Sequence, residues 1–338
     1  MLPDSEPSLA PHLETRTAGL YAPAFEAYLD PSEPVRRALL SHAHADHAVE
    51  GHGEIWGTPE TLAFYRRRNP EWAGSERKIS FGESVEAGGA GLTLLSSGHI
   101  LGAAQALFSS GAGSLLYTGD FKRRTSRTAR PAETARASTL VIETTFGLPV
   151  FRFPPRERLE ERILTACREA FAEGETPVIL AYSLGKSQEA AAILGEAGIP
   201  TVLHGAAWKL LPDFAVAGVA LPGARPYESG PPTREEALIT PPSTSRTSMV
   251  RGIKKRRVIY LSGWAMRSAS RAELDADVLI PMSDHADFDD LLAHVRDVGP
   301  KRVLTHHGFA REFARILSEK GIDAAALPGR EERPRDET

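Results

Sequence analysis

The chain has 338 residues, a formal net charge of −4, 41% apolar residues and 25% charged residues. That size exceeds what one hydrophobic core usually serves, so two domains or one two-lobed body are expected. The composition excludes a disordered chain, and the slightly acidic balance leaves any nucleic-acid contact to local basic patches. A single cysteine, Cys167, in a run that reads as helix, excludes a disulfide framework and a thiolate zinc site. No apolar stretch approaches the ~20 residues of a membrane span. The opening MLPDSEPSLAPH lacks the basic and apolar blocks of a secretory signal, so a soluble, cytoplasmic protein is expected. The tail from Pro328 to Thr338, rich in Arg, Glu and Pro, is expected to fray.

Short β-rich runs alternate with amphipathic helices, an α/β pattern. In chain order, strands are expected at Ala27–Asp30, Arg37–Ser41, Leu92–Ser97, Gln105–Phe108, Ser114–Gly119 and Thr139–Glu143. Further strands follow at Pro177–Tyr182, Thr201–His204, Arg257–Ser262, Asp277–Pro281 and Arg302–His306, with a short strand-like patch at Ala237–Thr240. Helices are expected at Thr58–Arg67, Pro155–Glu173, Lys186–Ala197, Phe288–Val298 and Ala310–Lys320. Two stretches read as boundaries: the proline-bearing Phe146–Pro155, and Leu221–Ser245 with its many Pro, Gly, Ser and Thr residues. The strand-helix units around 177–200 read as a nucleotide-fold-like piece inserted between two halves of another fold, because histidine-bearing loops lie on both sides.

Ser41-His42-Ala43-His44-Ala45-Asp46-His47 packs three histidines and an aspartate into six residues, directly after the apolar run Val35–Leu40. A strand ending in such a loop presents His42 and His44 to one metal, and Asp46 and His47 to a second. Imidazole and carboxylate suit zinc or manganese. Three more loops follow buried-looking strands: Ser97-Gly98-His99, Thr118-Gly119-Asp120 and His306-His307-Gly308. Each sets a ligand-type side chain beside a glycine that permits close backbone approach.

The order His42-x-His44-x-Asp46-His47, then His99, then Asp120, resembles the metallo-β-lactamase superfamily. The resemblance implies a four-layer αβ/βα sandwich with two metals at one edge of the sheets, and assigns Asp30 to orienting the metal loop. Glu143 in Ile142-Glu143-Thr144-Thr145-Phe146, His285 in Ser283-Asp284-His285-Ala286-Asp287, and His307 before Gly308 resemble the three extra motifs of the β-CASP branch, which processes nucleic acids. Phe146-Gly147-Leu148-Pro149, Ala181-Tyr182-Ser183-Leu184-Gly185-Lys186 and Leu261-Ser262-Gly263-Trp264 are similar to the bacterial ligase-associated DNA exonucleases, relatives of Artemis and Apollo. The resemblance covers about residues 17–325. It implies a metallo-β-lactamase domain over 1–147 and 263–338, with a β-CASP α/β domain inserted at 148–262.

By the same resemblance, His42, His44 and His99 hold one divalent ion, Zn2+ or Mn2+; Asp46, His47 and His307 hold the other, and Asp120 bridges. His285 is the expected general acid, with Glu143 hydrogen-bonded to it. His306 and His307 are neighbours on a strand and face opposite ways; His307 is the chosen ligand because it directly precedes the glycine, and His306 is the alternative. Ser183, Gly185 and Lys186, where a strand meets a helix, form a natural anion site, with helix capping and a solvated lysine as the alternative. Lys122 and Arg123, in a basic run with Arg124, Arg127 and Arg130, are expected to touch phosphate. A second basic run spans Arg251–Arg257. His52 reads as a surface or orienting residue, His204 as structural, and His12 and His294 as surface.

The activity implied is metal-dependent exonucleolytic hydrolysis of single-stranded DNA ends in repair. An ATP-dependent DNA ligase and a helicase are possible partners, and no membrane is involved. The eukaryotic DNA-repair relatives carry an apolar residue where this chain has His307, so an RNA endonuclease or 5′ exoribonuclease stays open. Small-molecule hydrolysis is disfavoured by the insertion, which would roof the cleft, and a catalytically dead scaffold by the filled ligand positions.

Overall fold

The structure, a computed structural model, describes residues 12–328. The first eleven residues and those from 329 onward lie outside the described residues, and with them most of the segments bearing the secretory-signal and fraying expectations. The described chain divides into two compact units. Residues 12–125, 129–150 and 286–328 make the first, and 126–128 with 151–285 the second.

The first unit begins with a six-stranded sheet in sequence order: β1 (Glu14–Arg16), β2 (Gly19–Ala22), β3 (Ala27–Leu29), β4 (Arg37–Leu39), β5 (Glu54–Gly57) and β6 (Ser75–Lys78). β1 to β3 are antiparallel, and β3 to β6 run parallel. Between β5 and β6 lies α1 (Pro59–Arg68), whose start is set by Thr58 accepting from Thr61 N–H at 3.2 Å and by proline at the first turn. A second sheet opens with the antiparallel meander β7 (Ser84–Ala87), β8 (Ala90–Ser96), β9 (Ala104–Ser110) and β10 (Gly113–Tyr117), and continues with β11 (Thr139–Glu143), parallel to β10.

The chain then builds the second unit. Its parallel sheet contains β12 (Thr176–Leu180), β13 (Thr201–Leu203), β14 (Ala224–Pro226), β15 (Ala237–Thr240), β16 (Arg256–Leu261) and β17 (Val278–Ile280), in spatial order β14-β13-β15-β12-β16-β17. Its main helices are α2 (Arg156–Ala172) and α3 (Lys186–Glu196). Short ones follow at α4 (Gly205–Trp208), α5 (Leu211–Val216), α6 (Ser248–Arg251) and α7 (Ala269–Leu274). Ile163, Ile179, Ala190, Leu203, Ile239, Ile259 and Leu261 form its apolar core.

On returning to the first unit, the chain forms α8 (Phe288–Val298), β18 (Arg302–His306), α9 (Ala310–Glu319) and β19 (Ala324–Ala326). β18 pairs parallel to β11, setting Glu143 opposite His306. One core, with Leu29, Leu39 and Trp56 from the first sheet and Leu92, Phe108, Leu115 and Val141 from the second, fills the space between the sheets. Leu62 and Tyr65 of α1 cover the outer face of the first sheet, and Phe288, Leu291, Phe313 and Leu317 of α8 and α9 cover that of the second. The result is the expected αβ/βα sandwich, with the separate α/β unit inserted in its chain.

The strands missed in sequence are short or polar. Ser75–Lys78, Ser-Glu-Arg-Lys, has no apolar alternation and is a strand because β5 offers it a parallel edge. Ala324–Ala326 is held by β18 rather than by propensity. The patch at Ala237–Thr240 is a fully buried inner strand. Where the sequence ends the inserted piece at residue 262, the second compact unit runs to His285, because β17 pairs with β16.

Gly98 shows why the His99 loop needs glycine. Its φ is +75°, and an added Cβ would lie 2.2 Å from the Lys122 carbonyl oxygen. Gly98→Ala should therefore lower unfolding free energy by at least about 2–3 kcal/mol. An unshifted urea midpoint would refute the close approach.

Candidate metal centre

Every loop of the expected cluster leaves the carboxyl end of a strand. β8 and β10 each run antiparallel to β9, so they point the same way, and β11 and β18 run parallel to β10. His99, Asp120, Thr144 and His307 thus emerge at one edge of the second sheet. His42 to His47 leave the end of β4 in the first sheet, and Ala104 N–H ties the two sheets there by donating to the Ser41 carbonyl at 2.8 Å. At Gly119, with φ +52°, a Cβ would sit 2.7 Å from Ser41, so the aspartate loop reaches the histidine loop only through glycine.

The ring nitrogens converge. His44 Nδ1 is 3.1 Å from both His42 Nε2 and His99 Nε2. Asp120 Oδ2 lies 3.5 Å from His42 Nε2, 3.8 Å from His99 Nε2 and 3.4 Å from His47 Nε2. Ligands at ~2.0–2.1 Å around a tetrahedral zinc would be separated by about 3.3 Å, close to these spacings. His42, His44, His99 and Asp120 form one group able to hold an ion. His47, whose Nε2 is also 3.8 Å from Asp46 Oδ2, stands on the other side of Asp120, and its ring is 5.1 Å from that of His307. His42, His47, His99 and Asp120 are buried, whereas the Asp46 side chain is 60% exposed. The donor set suits divalent cations.

The outer nitrogens are held too. Ser41 Oγ donates to Asp30 Oδ2 at 2.5 Å, so the Ser41 oxygen is left to accept from His42 Nδ1 at 3.0 Å. His47 Nδ1 donates to the same Asp30 oxygen at 3.1 Å. Both contacts place the proton on Nδ1 and turn a bare Nε2 inward. Tyr117 O–H donates to Asp30 Oδ2 at 2.8 Å, and Ser41 N–H to Oδ1 at 2.7 Å. The Arg68 guanidinium, at the end of α1, grips the histidine turn by donating to the carbonyls of Ala43 (2.5 Å) and Ala48 (2.6 Å). Sequence reading missed Tyr117 and Arg68. The available signals were a tyrosine ending the strand before the aspartate loop and a run of arginines ending α1.

Burial alone would depress the His47 pKa, but Asp120, Asp46 and Asp30 overcome it and hold it well above the ordinary 6.5. The three carboxylates thus favour positive charge at His47. His306 takes the opposite course. Burial first, and then His307 and His47, push its pKa well below the ordinary range. Its ring stacks on Tyr117 at 5.4 Å, and Nε2 is buried without a hydrogen-bond partner among the described residues. His307 adopts φ +57°, and Thr144 Oγ1 donates to its carbonyl at 2.5 Å.

Glu143 is fully buried. Its Oε1 accepts from Phe121 N–H at 3.4 Å and its Oε2 from Thr145 N–H at 2.8 Å. His285, 7% exposed, donates its backbone N–H to Ser283 Oγ at 2.9 Å. The next residue, Ala286, donates to the carbonyl of Phe121, the neighbour of Asp120, at 2.7 Å. Lys186 is buried and its ammonium bonds Asp284 Oδ2 at 2.8 Å. The Gly185 N–H donates to Gln188 Oε1, and the Ser183 carbonyl accepts from Gln188 Nε2. The lysine thus anchors the Ser283–His285 loop and is not a solvated cation. Lys122 is buried, with its N–H on the Ser97 carbonyl; Arg123 pairs with Asp297 at 2.7 Å, and Arg124 with Asp287 at 2.5 Å.

Two surface expectations are corrected: His12 and His294 are buried. His294 lies on the inner face of α8 against Phe121, with its pKa pushed down to about 4 by burial and then by Arg123. His52 is also buried, accepts from Val35 N–H through Nδ1, and is likewise lowered to about 4 by burial. His204 caps α4 by accepting from Ala206 N–H.

Two mixed sheets between helical layers, with imidazoles and carboxylates gathered at the strand ends of one edge, define a sandwich of the metallo-β-lactamase type. No family model matches the chain. Over 311 residues, 91% of the chain, it is 41% identical to a protein of Opitutus terrae named a probable DNA ligase, 30% of which is covered. It is 33% identical over 125 residues to RNase aCSPSF2 of Saccharolobus solfataricus, covering 36% of this chain and 25% of that one. A solved structure of a protein of unknown function from Enterococcus faecalis V583 shares the fold, with a TM-score of 0.60 at 15% identity over 88% of this chain and 80% of that one. The chain spans less than a third of the length of these two curated relatives. It belongs to the β-CASP branch of the metallo-β-lactamase superfamily. Among the described residues, no helix is long and apolar enough to cross a membrane.

Two outcomes follow. In chelator, the raised His47 pKa adds stability that is complete below about pH 6.5 and is lost as pH rises through the raised value. With divalent cations present the trend should reverse, because binding displaces that proton. Thermal melts across pH in both media check it, and parallel curves would refute it. Lys186→Met, which takes the ammonium away from the buried Asp284 carboxylate, should cost about 3–5 kcal/mol, whereas Lys186→Met with Asp284→Leu should recover part of it; chemical denaturation distinguishes them.

Proposed function

We propose that the chain is a metal-dependent phosphodiesterase that removes nucleotides from the ends of single-stranded DNA during repair. The observation that carries the reading is the convergence of His42, His44, His99 and Asp120, with His47 beyond the aspartate, at one strand edge. His42, His44 and His99 would hold one divalent ion, and Asp46, His47 and His307 the other, with Asp120 between them; Zn2+ and Mn2+ both suit these donors. Such a pair of cations, when bound, supplies an activated water and offsets phosphate charge. Asp30 orients the histidines. His285 acts as general acid for the leaving oxygen, supported by Glu143, whose buried carboxylate is fixed by two backbone N–H groups. Phosphate contacts from Ser183, Gly185, Lys186, Lys122 and Arg123 belong to the same reading, although Lys186 and Arg123 already carry counter-ions in the fold.

The 41% match along 91% of the chain to a protein named a probable DNA ligase supports DNA as the substrate and a DNA ligase as a partner; an ATP-dependent ligase and a helicase acting beside the chain are part of the proposal. A cytoplasmic location goes with that role. The second reading, RNA cleavage, is favoured by the match to a protein named an RNase and by His307.

Incubation of the purified protein with end-labelled linear ssDNA, circular ssDNA and RNA, with Mn2+, Zn2+ or chelator, tests both. Stepwise loss of linear ssDNA, with circles intact and chelator abolishing activity, is expected. Preferential cutting of RNA would replace the first reading with the second, and undiminished digestion in chelator would end both. His285→Ala should lower turnover by about 10²–10⁴-fold with bound metal unchanged; loss of metal would place His285 among the ligands instead.

A further inference from the structure

We propose that Tyr117 is a positioning residue for the metal centre: its hydroxyl holds Asp30 Oδ2 as an acceptor for His47 and Ser41, keeps that carboxylate from becoming a ligand, and so sets cation affinity. The inference rests on the metal-dependent reading above.

Three donors meet on one oxygen. Asp30 Oδ2 accepts from Ser41 Oγ, His47 Nδ1 and Tyr117 O–H, while Oδ1 accepts from Ser41 N–H. Ser41 and His47 both come from the donor loop itself, eleven and seventeen residues beyond Asp30. Tyr117 comes from the other sheet, 87 residues away, and is the contact that ties the carboxylate to something other than the loop it orients.

The carboxylate has a second possible role. Asp30, His42 and His47 offer atoms close enough together to hold an ion themselves. If Asp30 swung onto a cation, His47 Nδ1 and Ser41 Oγ would lose their acceptor, and with it the proton placement that bares both Nε2 atoms. The Tyr117 hydroxyl opposes that swing. Asp30 also sits at φ +42°, a left-handed backbone tolerated by aspartate and stable only where its surroundings fix it. The phenol stays a donor, since burial and then Asp30 raise its pKa well above 10. Tyr117 is the last residue of β10, three before Asp120, so the same bond also registers the aspartate loop against the histidine loop.

Tyr117→Phe removes the hydroxyl while keeping the ring that stacks on His306. The full chain, stripped with chelator and titrated with Mn2+ and with Zn2+ by calorimetry, should bind about 10–100-fold more weakly in this variant. Asp30→Asn should also weaken binding, and adding Tyr117→Phe to it should cost nothing further, because the tyrosine acts through the carboxylate. Affinity within twofold of wild type in Tyr117→Phe, or an additive loss in the double variant, overturns the proposal. If Tyr117→Phe melts lower in chelator but binds cations normally when folded, the hydroxyl is structural and the proposal also fails. A wild-type chain that binds neither cation would instead end the metal reading itself.

Discussion

The Asp30 carboxylate is the constraint on which the donor cluster depends. Inward-facing imidazole nitrogens repel one another through their lone pairs unless a cation lies between them, so the cluster must be held from outside. Asp30 does this by accepting from His47 directly and, through Ser41, by orienting His42. Arg68 adds a second brace, closing the turn at Ala43 and Ala48. The arrangement is therefore preorganised by ordinary hydrogen bonds on the far ring nitrogens, the usual means by which a protein fixes an imidazole ligand.

The sandwich makes that preorganisation affordable in conformational terms. Asp30 and His307 both adopt left-handed φ, and Gly98 and Gly119 do so beside the other two ligand loops. Each departure is local, and each follows a strand whose buried side is locked into a core between or outside the sheets. Strain of this kind persists only where surrounding packing over-determines it. The same reasoning explains why ligand loops lie at strand ends: the strand fixes position, and the residues after its last ladder bond are free to turn.

What the sequence revealed followed from strong local signals. The bounds of Thr139–Glu143, Phe288–Val298 and Arg302–His306 were readable because apolar periodicity was bracketed by clear stops, such as Asp287 capping α8 and Gly299 ending it at φ +62°. The histidine cluster was readable because its donors are neighbours in the chain. Tyr117, Arg68 and the Lys186–Asp284 pair were not, because each owes its role to a partner 20 to 98 residues away and none carries a distinctive motif of its own. Strands such as Ser75–Lys78 escaped for a related reason: they exist because a neighbour offers an edge, and their own side chains say nothing of it. His294 reads as a surface residue in sequence because polar side chains on an amphipathic helix usually face water, whereas it fills space against Phe121.

Several arginines of the basic runs that suggested polyanion contacts already carry acidic partners. Arg123 pairs with Asp297 of α8, Arg124 with Asp290 of α8 and with its capping residue Asp287, Arg127 with Glu160 and Glu196, and Arg257 is surrounded by Glu169, Glu173 and Glu175. A guanidinium so committed must break a salt bridge before it can accept a phosphate, which removes much of its attraction. The metal centre has the opposite character, because Asp120, Asp46 and Asp30 make it a site of negative potential that raises the His47 pKa. Left as it is, that edge would repel a nucleic-acid backbone. Under the proposed reading, bound divalent ions invert the local sign and become the largest positive charges available to the substrate. Cation occupancy would then govern substrate attraction as well as chemistry, and an overall acidic chain would need no extensive basic surface to act on a polyanion.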